Sequence, residues 1–550
     1  MATSTVQRPT PRTIHLVGPR PTTQTPTARL RRWARQHRAS LTWLVPLLLL
    51  ATLAHAVNMT NAPQRFDDEG TYVAQAFAVG AYGELTHYTY FYDHPPLGWL
   101  QLSGWLYGTG ALARYDSAVM AGREFMLAAA LVSALLLWLL ARRLHLSRPA
   151  AAVAVALFTL SPLAVQFHRA VYLDNIATPW LLAALVLALN TQRQLLGQTA
   201  AGAAFAVAVL SKETYLLFLP FLAWLMWRSA DRSTRRYTLA VSAAVFVLVT
   251  STHLLMAALK SELLPGENRT SLWQGLIFQL FGREGSGWVF DAASDAHDTV
   301  SLWWRLDPAL TLAAPVAALL ALASHRLRPL AAAVVFSLVF MLRPGYLPIP
   351  YVVALLPLAA LLIPGVIEQG ARAVRTRWQV GSRRAARSRR GRHRRHSGRT
   401  GLVRVAGITL AAATVATVVV PLWSDQLRYL LRSDVEDPMR QAVAWIEQNV
   451  GPDERLIVDD SMWVDLVRAG FDRDQVVWFY KVDTDPAVAA QAPDGWVDYD
   501  YVVSTNSIRA FPDELSVVGD AIANSTVIAS YGEAGSEVEI RRVITPVDPL

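Results

Sequence analysis

Three consecutive carboxylates, Asp67, Asp68 and Glu69, lie in the stretch FDDEGTY, shortly after the first long apolar run of the chain. Carboxylates beside a membrane span are costly unless water, a cation or a substrate hydroxyl meets them. Because such a cost needs a compensating role, these three residues are the first candidates for chemistry. The polar stretch that they begin ends in YDHPPL, at residues 92–97.

Short polar links between later apolar runs supply the cations that would complete such a site. These links contain Arg169 and Asp174 in FHRAVYLDN, Lys212 in SKET, and Arg343, Tyr346 and Tyr351 in RPGYLPIPY. Charges at the ends of apolar segments are often only interfacial anchors, and Lys212 and Arg343 taken singly fit that description equally well. All the links, however, fall on the same predicted side as the acidic stretch. A carboxylate that deprotonates an acceptor, facing cations that hold an anionic leaving group, would give this cavity a function.

Composition places these residues in a polytopic α-helical membrane protein. Of 550 residues, 53% are hydrophobic and only 17% are charged, which is unusual for a soluble chain. The 18 Trp and 17 Tyr suit the aromatic belts of membrane interfaces. The chain has no cysteine, which excludes a disulfide framework, a thiolate nucleophile and a cysteine metal site.

Hydropathy predicts about eleven spans, several of them shorter than the roughly 20 residues that cross a bilayer. The predicted spans cover residues 41–57, 119–141, 149–166, 175–190, 198–211, 214–228, 238–258, 308–323, 329–342, 349–367 and 402–422. With this count the basic loops at 141–148, 228–236, 324–328 and 371–400 all share the side of the basic N-terminus, as the positive-inside rule requires. Residues 95–112 are therefore interpreted as a juxtamembrane or re-entrant helix, since a further crossing would move these loops outside.

Basic residues concentrate in two segments that are predicted to be cytoplasmic. Residues 1–39 hold eight Arg and no acid, and residues 371–400 hold twelve Arg and no acid. Nucleic-acid binding is one reading of such a run, but fixing the orientation of adjacent spans explains it better, with contact to anionic lipid headgroups as an addition. No nucleic-acid partner is expected.

The N-terminal segment, residues 1–39, is predicted to be a disordered cytoplasmic tail because its first 28 residues are rich in Thr, Pro and Arg without apolar periodicity. The following run from Leu41 to Val57 ends in Ala54-His55-Ala56. A cleavable signal peptide is one interpretation, and an uncleaved first span is the preferred one. Either places the acidic loop outside, in a multi-pass protein of the bacterial plasma membrane.

Residues 424–550 are expected to form a small extracytoplasmic α/β domain after the membrane domain of residues 40–423. This segment holds 24 acidic against ten basic residues. Five apolar strand patterns (RLIVDD, QVVWFYK, DYDYVVST, STVIASY and VEIRRV) alternate with helical ones. Asp459 and Asp460 are predicted to form an exposed acidic turn, because no nucleophile, phosphate loop or metal spacing accompanies them. Acceptor recognition or contact with a partner is the expected role of this domain.

The predicted outer loop of residues 259–307 contains one amphipathic pattern, SLWQGLIFQLF, expected to lie at the interface. The Gly, Ser and Asp residues that follow are typical of a mobile loop. A lid over a membrane-bound donor and a passive linker are both compatible with this composition.

These motifs together carry a family resemblance. FDDEGTY followed by YDHPPLGWLQL, HRAVYLDN, SKET and RPGYLPIPYVVALLPLAAL resembles the GT-C glycosyltransferases of the protein O-mannosyltransferase and lipid A aminoarabinose transferase type, over roughly residues 40–367. The family's Asp-Glu-x-x-Tyr signature falls on Asp68, Glu69 and Tyr72. Its His-Pro-Pro-Leu-Gly signature begins at His94.

The resemblance implies a sugar transfer from a membrane polyprenyl-phosphate-sugar donor to an acceptor hydroxyl on a protein, a lipid or a cell-wall glycan, commonly with inversion. By this resemblance Asp68 is the general base, Asp67 is the alternative, and Glu69 and Tyr72 are supports. Donor phosphate would be bound by Arg169, Lys212, Arg343 and His94. His94 stands where aminoarabinose transferases carry a lysine, and an imidazole is charged only part of the time near neutral pH.

Asp93, Asp174, Tyr346 and Tyr351 are the remaining predicted substrate contacts. Asp93 with His94 could also bind a divalent metal, which is the only cofactor considered, although two adjacent residues are a poor metal signature. A salt bridge between Arg169 and Asp174 is the alternative explanation for that pair.

Two other classes of protein stay open at the sequence level. A lipid-linked sugar flippase or transporter should show internal repeats and broken spans in matching halves, and no such repeat is found. A non-catalytic relative that binds polyprenyl phosphate in a cell-envelope complex would retain the same acidic signature.

Overall fold

The computed structural model describes residues 26–66, 68–88, 94–266, 271–388, 417, 419–510 and 515–544. Within these residues the chain forms a helical membrane part and, from Asp437 to Val543, an α/β part. Most of the predicted tail, residues 389–400 of the Arg-rich loop and most of the predicted span 402–422 lie outside them, as do Asp67 and Asp93.

Sixteen α-helices are described in the membrane part. They are α1 (Pro26–Ala56), α2 (Glu69–Tyr82), α3 (Leu97–Gly108), α4 (Ala118–Arg143), α5 (Arg148–Leu160), α6 (Pro162–Arg169), α7 (Leu173–Ala188), α8 (Gln194–Ser211), α9 (Leu219–Ser229), α10 (Arg235–Leu259), α11 (Leu272–Ile277), α12 (Asp295–Leu306), α13 (Pro308–Ala321), α14 (Arg328–Met341), α15 (Leu356–Ser388) and α16 (419–432). Short 3-10 helices at Ala111–Ala113, Glu213–Phe218 and Ile349–Val352 and a π-helical turn at Phe278–Gly282 complete this part.

The first helix corrects the predicted N-terminal boundary. Residues 26–39 were expected to be disordered, yet α1 begins at Pro26 and runs without a break into the apolar run. The Arg, Ala and Leu residues before the apolar run are strong helix formers, so the helix nucleated by that run extends backwards through them.

Five helices within the described residues are long and apolar enough to cross a membrane, and a sixth crossing is obtained if α5 and α6 count as one bent span. The bend between α5 and α6 is 58°, at Ser161, whose hydroxyl caps α6, and Pro162, which opens it. Helices α7, α13 and α14 are apolar but have only 16, 14 and 14 residues. The count of eleven spans therefore stays a prediction.

The segment 95–112, predicted as a helix that does not cross, forms the 12-residue helix α3 followed by a short 3-10 turn. Helix α3 packs against α2, α4, α7 and α8. Helix α2 in turn packs against α4, and it ends at Gly83, whose φ of 75° is the left-handed conformation that glycine adopts without strain. The acidic stretch thus begins a helix held between the membrane helices and the rest of the predicted loop of residues 58–118, here named the outer loop.

The α/β part contains five strands, each inside a segment predicted to be a strand. They are β1 (Leu456–Val458), β2 (Val476–Trp478), β3 (Tyr501–Ser504), β4 (Ser525–Tyr531) and β5 (Val538–Val543). The helices of this part are α17 (Asp437–Asn449), α18 (Asp460–Ala469), α19 (Phe479–Thr484), α20 (Pro486–Gln491), α21 (Asn506–Arg509) and α22 (Ser516–Ala523).

The strands form one mixed sheet in the order β2-β1-β3-β5-β4. Strand β1 pairs in parallel with β2 and β3, whereas β5 is antiparallel to β3 and β4. The wholly apolar strands β1 and β2 are buried along their entire length, as expected for parallel strands covered on both faces. Their carboxyl ends lead directly into α18 and α19, which approach the outer loop.

Buried charges join this α/β part to the outer loop. The guanidinium of Arg65 lies 2.7 Å from Glu436 Oε2 and 3.5 Å from Asp465 Oδ2, and all three side chains are almost wholly buried. Asp465 Oδ1 also accepts a hydrogen bond of 2.7 Å from the amide of Ala118, at the start of α4. The outer loop and the α/β part therefore share a polar core and do not meet only at the surface.

Candidate active site

Four of the predicted site residues meet in one hydrogen-bond network. Tyr72 Oη donates to Asp68 Oδ2 at 2.7 Å and lies 3.1 Å from His94 Nε2. Lys212 Nζ lies 3.0 Å from the same imidazole nitrogen and 3.5 Å from Tyr72 Oη. His94 Nδ1 lies 3.0 Å from Glu213 Oε2. A carboxylate from the acidic stretch is thereby connected to a lysine of the SKET motif.

The 3.1 Å approach of Tyr72 Oη to His94 Nε2 joins two acceptors, and the other four contacts are hydrogen bonds when His94 carries its ring proton on Nδ1. The Nδ1–H group then donates to Glu213. The Nε2 atom accepts from the ammonium group of Lys212, which can only donate hydrogen bonds. Tyr72 has a single hydroxyl proton and gives it to Asp68. In this arrangement His94 serves as an orienting group for Lys212, and the positive charge next to the site belongs to Lys212.

Local structure explains why these residues converge. Tyr72 lies four positions after Asp68, so both side chains lie on one face of the first turn of α2. His94 comes just before α3. Lys212 is the residue at which the backbone leaves α8, with φ −154° and ψ 114°.

Glu69 is separated from the site by its own ion pair. Both of its oxygens receive N–H groups of Arg123, at 3.1 and 3.2 Å, and neither side chain is exposed. Glu69 Oε2 also accepts from the amide of Val171 at 2.8 Å. Both oxygens of this carboxylate are occupied by buried donors, so Glu69, one of the three first candidates for chemistry, has a structural role here, as expected of a support.

Arg169 is likewise not available to a phosphate. Its two terminal nitrogens donate to the backbone carbonyls of Ala54, Val57, Ala62 and Leu430, at 2.7 to 2.8 Å, and the side chain is 2% exposed. The predicted donor-binding role of Arg169 is therefore wrong in this structure, and so is the alternative salt bridge with Asp174. The guanidinium satisfies the carbonyl groups left unpaired where α1 and α16 end.

A cavity of about 160 Å³ opens beside the network. Its walls include Asp68, Tyr72 and His94 from the outer loop, Arg283 from the loop predicted to be a lid, and Lys481 from the α/β part. The cavity therefore has a carboxylate on one wall and two further cations on the others. Neither Arg283 nor Lys481 was singled out by the sequence.

The remaining predicted contacts have different locations. Tyr346 stacks under the guanidinium of Arg283, with 4.1 Å from that group to the ring centroid, so it adjoins the cavity through Arg283. Arg343 is exposed and stacks instead on Phe340, also at 4.1 Å. Tyr351 donates to the carbonyl of Ser337 at 3.3 Å.

Asp174 is buried at the start of α7, and its charge interacts with those of Lys212, Glu213 and His94. It therefore belongs to the electrostatic surroundings of the network, although no direct hydrogen bond joins them. Asp67 and Asp93 are not among the described residues, so Asp67 as the alternative base and a metal on Asp93 and His94 stay predictions. Both ring nitrogens of His94 already have protein partners.

Sequence reasoning missed Arg123 and Glu213, although both carried a signal. Arg123 is a charged residue inside a predicted span, which normally marks a buried partner or a functional site. Glu213 directly follows Lys212 in the SKET motif. Their partners, Glu69 and His94, were both selected from the sequence, but the pairing itself depends on how the helices are arranged.

Asp459 and Asp460 were predicted to be an exposed acidic turn, and this prediction is wrong. Both are buried, with 5% and 6% exposure. Asp459 caps α18 by accepting from the amide and hydroxyl of Ser461, and Thr505 donates to its other oxygen at 3.0 Å. Asp460 contacts the outer loop, because the amide and hydroxyl of Thr71 donate to its Oδ2 at 2.7 and 2.6 Å.

Comparisons with known proteins agree with this architecture. Residues 120–256 match the model of the dolichyl-phosphate-mannose-protein mannosyltransferase family. No curated protein matches the chain significantly in sequence.

Two solved structures share the fold over nearly the whole chain. ArnT from Cupriavidus metallidurans, bound to undecaprenyl phosphate, is 15% identical with a TM-score of 0.56, over 93% of this chain and 100% of that one. The oligosaccharyltransferase AglB from Archaeoglobus fulgidus, in complex with an inhibitory peptide and a dolichol-phosphate, is 14% identical with a TM-score of 0.53, over 92% and 74%. The resemblance found in the sequence is confirmed, and the chain has the fold of the GT-C membrane glycosyltransferases.

Proposed function

We propose that this protein transfers a sugar from a polyprenyl-phosphate-linked donor to an acceptor hydroxyl, with Asp68 as the general base. The observation that carries the proposal is the position of Asp68, on the wall of a cavity that also contains Arg283 and Lys481. Two of the similar structures hold a polyprenyl or dolichyl phosphate, which supports a donor of that class.

In the proposed reaction the acceptor oxygen attacks the anomeric carbon while its proton passes to Asp68. The bond between that carbon and the phosphate oxygen breaks, and the polyprenyl phosphate leaves with the electron pair. The single carboxylate on the attacking side favours inversion, since no second carboxylate is placed to form a covalent intermediate among the residues described around the cavity.

Cations around the cavity would stabilise the leaving phosphate. Arg283 and Lys481 line it, and Lys212 approaches it through Tyr72 and His94. Such charges act strongly because they are fixed in place before the reaction. They take the role that the sequence had assigned to Arg169 and Arg343.

The orientation belongs to the proposal as well. The basic loops at 141–148, 228–236 and 324–328 share one predicted side of the membrane, so the cavity and the α/β part would lie on the opposite, outer side. An acceptor there would be a protein, a lipid or a glycan of the cell envelope.

The test is incubation of the purified protein with polyprenyl-phosphate sugars, alone and with candidate acceptors, while released polyprenyl phosphate is measured. We expect Asp68→Asn to abolish release and to retain donor binding, and Asp67→Asn to retain release. Loss of release in Asp67→Asn with normal rates in Asp68→Asn would move the base by one residue. Donor binding without release from the wild type under any condition would instead favour a non-catalytic relative.

A further inference from the structure

The first turn of α2 has an unusual arrangement of hydrogen bonds. Asp68 is the residue that precedes the helix, where an aspartate normally accepts a hydrogen bond from the backbone N–H of the second or third helical residue. Here it makes no such bond. Its backbone, at φ −73° and ψ 8°, also departs from the extended conformation in which such a bond forms.

The N–H that Asp68 would normally bind is taken by a residue from the other end of the chain. It belongs to Thr71, the third residue of α2, and Asp460 Oδ2 accepts it at 2.7 Å. The Thr71 hydroxyl donates to the same oxygen at 2.6 Å, and it also lies 2.7 Å from Tyr480 Oη. Asp460 therefore occupies the capping position of a helix 389 residues earlier in the sequence.

The absence of a side chain at Gly70 allows Asp460 to reach the capping position of α2. A Cβ at Gly70 would lie 2.2 Å from the amide nitrogen of Ser461 and 2.5 Å from the carbonyl carbon of Asp460. Such distances are far below van der Waals contact, so only glycine allows the start of α18 to approach the start of α2. The DEGT sequence thus contains a glycine and a threonine that both serve contact with Asp460.

Because Asp460 is buried, its carboxyl group can lie close to Asp68 without repelling it. Removal from water, together with the neighbouring charge of Asp459, raises the pKa of Asp460 well above its usual range. A protonated carboxyl still accepts hydrogen bonds from Thr71 and adds no negative charge that would repel Asp68.

We propose that Asp460 is a positioning residue for the general base: by capping α2 in place of Asp68, it leaves the Asp68 carboxylate facing the cavity. Asp68 is then bound by Tyr72, at 2.7 Å, and presents its remaining lone pairs to an acceptor hydroxyl. Without Asp460, the Asp68 carboxylate rotates to bind the backbone N–H groups in the first turn of α2. It then no longer reaches the acceptor hydroxyl. The inference rests on the proposed transferase function.

The test compares variants of the full-length protein in the polyprenyl phosphate release assay. We expect Asp460→Ala to lower kcat by 10- to 100-fold while the KM for the donor and the affinity for undecaprenyl phosphate change less than twofold. Asp460→Asn should keep kcat within about threefold of wild type, because the amide oxygen can accept both bonds from Thr71.

A second substitution separates positioning from a general loss of structure. Thr71→Pro removes the N–H that would capture Asp68, and the first turn of a helix has no intrahelical hydrogen bond from that N–H to lose. In the Asp460→Ala background, Thr71→Pro should raise kcat at least fivefold. Thr505→Ala, which removes a hydrogen bond to the adjacent Asp459, is the matched control and should keep the kcat of the wild type.

The outcomes distinguish this inference from the proposed function. If the wild type releases polyprenyl phosphate and Asp68→Asn does not, yet Asp460→Ala keeps the kcat of the wild type, positioning by Asp460 is refuted and the function stands. Positioning is also refuted if Thr71→Pro restores no kcat in the Asp460→Ala background. The loss of kcat in Asp460→Ala would then come from a packing defect, which a proline cannot relieve. If the wild type itself releases nothing, the proposed function has failed.

Discussion

Asp68 and Glu69 are adjacent in the chain, yet their carboxylates have opposite surroundings. Asp68 is half-buried on the cavity wall and bound by one hydroxyl, whereas Glu69 is fully buried between Arg123 and the amide of Val171. A helix turns by about 100° per residue, so neighbours at its start point to different sides. At this scale, one carboxylate can accept a proton and the other fixes the helix.

Arg283 should determine affinity for the donor more than Arg343 does. Arg283→Ala removes a cation from the cavity wall, and we expect the KM for the donor to rise about tenfold and kcat to fall as well, because the proposed role of Arg283 is to bind the phosphate of the donor and to stabilise it as it leaves. Arg343→Ala is the matched control, since Arg343 stacks on Phe340 and is absent from the cavity wall. Steady-state kinetics with a purified polyprenyl-phosphate sugar would measure both, and equal increases would refute the assignment.

Breaking the pair of Glu69 and Arg123 should damage folding before it damages chemistry. Arg123→Ala leaves a buried carboxylate without its cation, which costs about 3–5 kcal/mol. We expect a much lower thermal unfolding midpoint in detergent. Arg114→Ala, which removes the exposed pair with Glu124, is the control and should unfold close to the wild-type temperature.

At the scale of elements, the position of the acidic start of α2 depends on its contacts with α18. Strand β1 ends at Val458, and the chain turns through Asp459 into α18, whose first residues contact Gly70 and Thr71. Arg65, Glu436 and Asp465 fix the same pair of elements a few residues away. The sheet therefore contributes to the site by fixing where α18 begins.

The stability of this contact should depend on pH in a defined direction. The pKa of Asp460 is higher in the folded protein than in the unfolded chain because the carboxyl is buried. Between those two pKa values the unfolded chain has lost a proton that the folded protein retains, so stability falls as pH rises. Asp460→Asn lacks this group, and we expect its unfolding midpoint relative to wild type to increase from pH 5 to pH 8. Parallel pH profiles for the two proteins would contradict this.

Part of this arrangement could be predicted from the sequence. Asp68, Tyr72, His94 and Lys212 lie in short motifs with a recognisable family pattern, and the structure brings all four into one network. Arg169 lies in an equally suggestive motif but satisfies backbone carbonyls of α1 and the segment after it. A motif indicates which residue types are present, whereas the direction of a long side chain depends on which carbonyl groups the neighbouring helices leave unpaired.

Other features had no local signal. Asp460 resembles any acidic pair at the end of a strand, and its partner Thr71 is 389 positions away. The helices of 14 to 16 residues also show why spans were difficult to count, because helix length alone does not decide whether an apolar helix crosses.

At the scale of the whole molecule, the predicted orientation places the basic loops inside and the acidic C-terminal region outside, with the apolar helices between them. Helix α10 is the least buried of the five candidate spans, since only 6% of its most hydrophobic segment is buried, as expected of a helix that faces lipid. The α/β part lies against the outer loop, and its hydrogen bonds with Arg65, Thr71 and Tyr88 hold it on the cavity side.

The predicted orientation can be tested directly because the chain contains no cysteine. Single cysteines at Ser536, in the turn between β4 and β5, and at Arg232, between α9 and α10, would lie on exposed surfaces. We expect a membrane-impermeant maleimide to label Ser536→Cys in intact cells and Arg232→Cys only after permeabilisation. The reverse pattern would invert the topology and place the cavity inside.

The contact of Gly70 with the start of α18 has a consequence for biosynthesis, because α18 is translated long after α2. Translation completes α2 long before it reaches Asp460, so an unfinished chain has Asp68 without the residue that positions it. Under the positioning proposed above, a nascent protein that already binds lipid-linked sugar would not yet use it. Completion of the C-terminal region would then switch the enzyme on, which protects a costly donor from being spent on water while the protein is still being made.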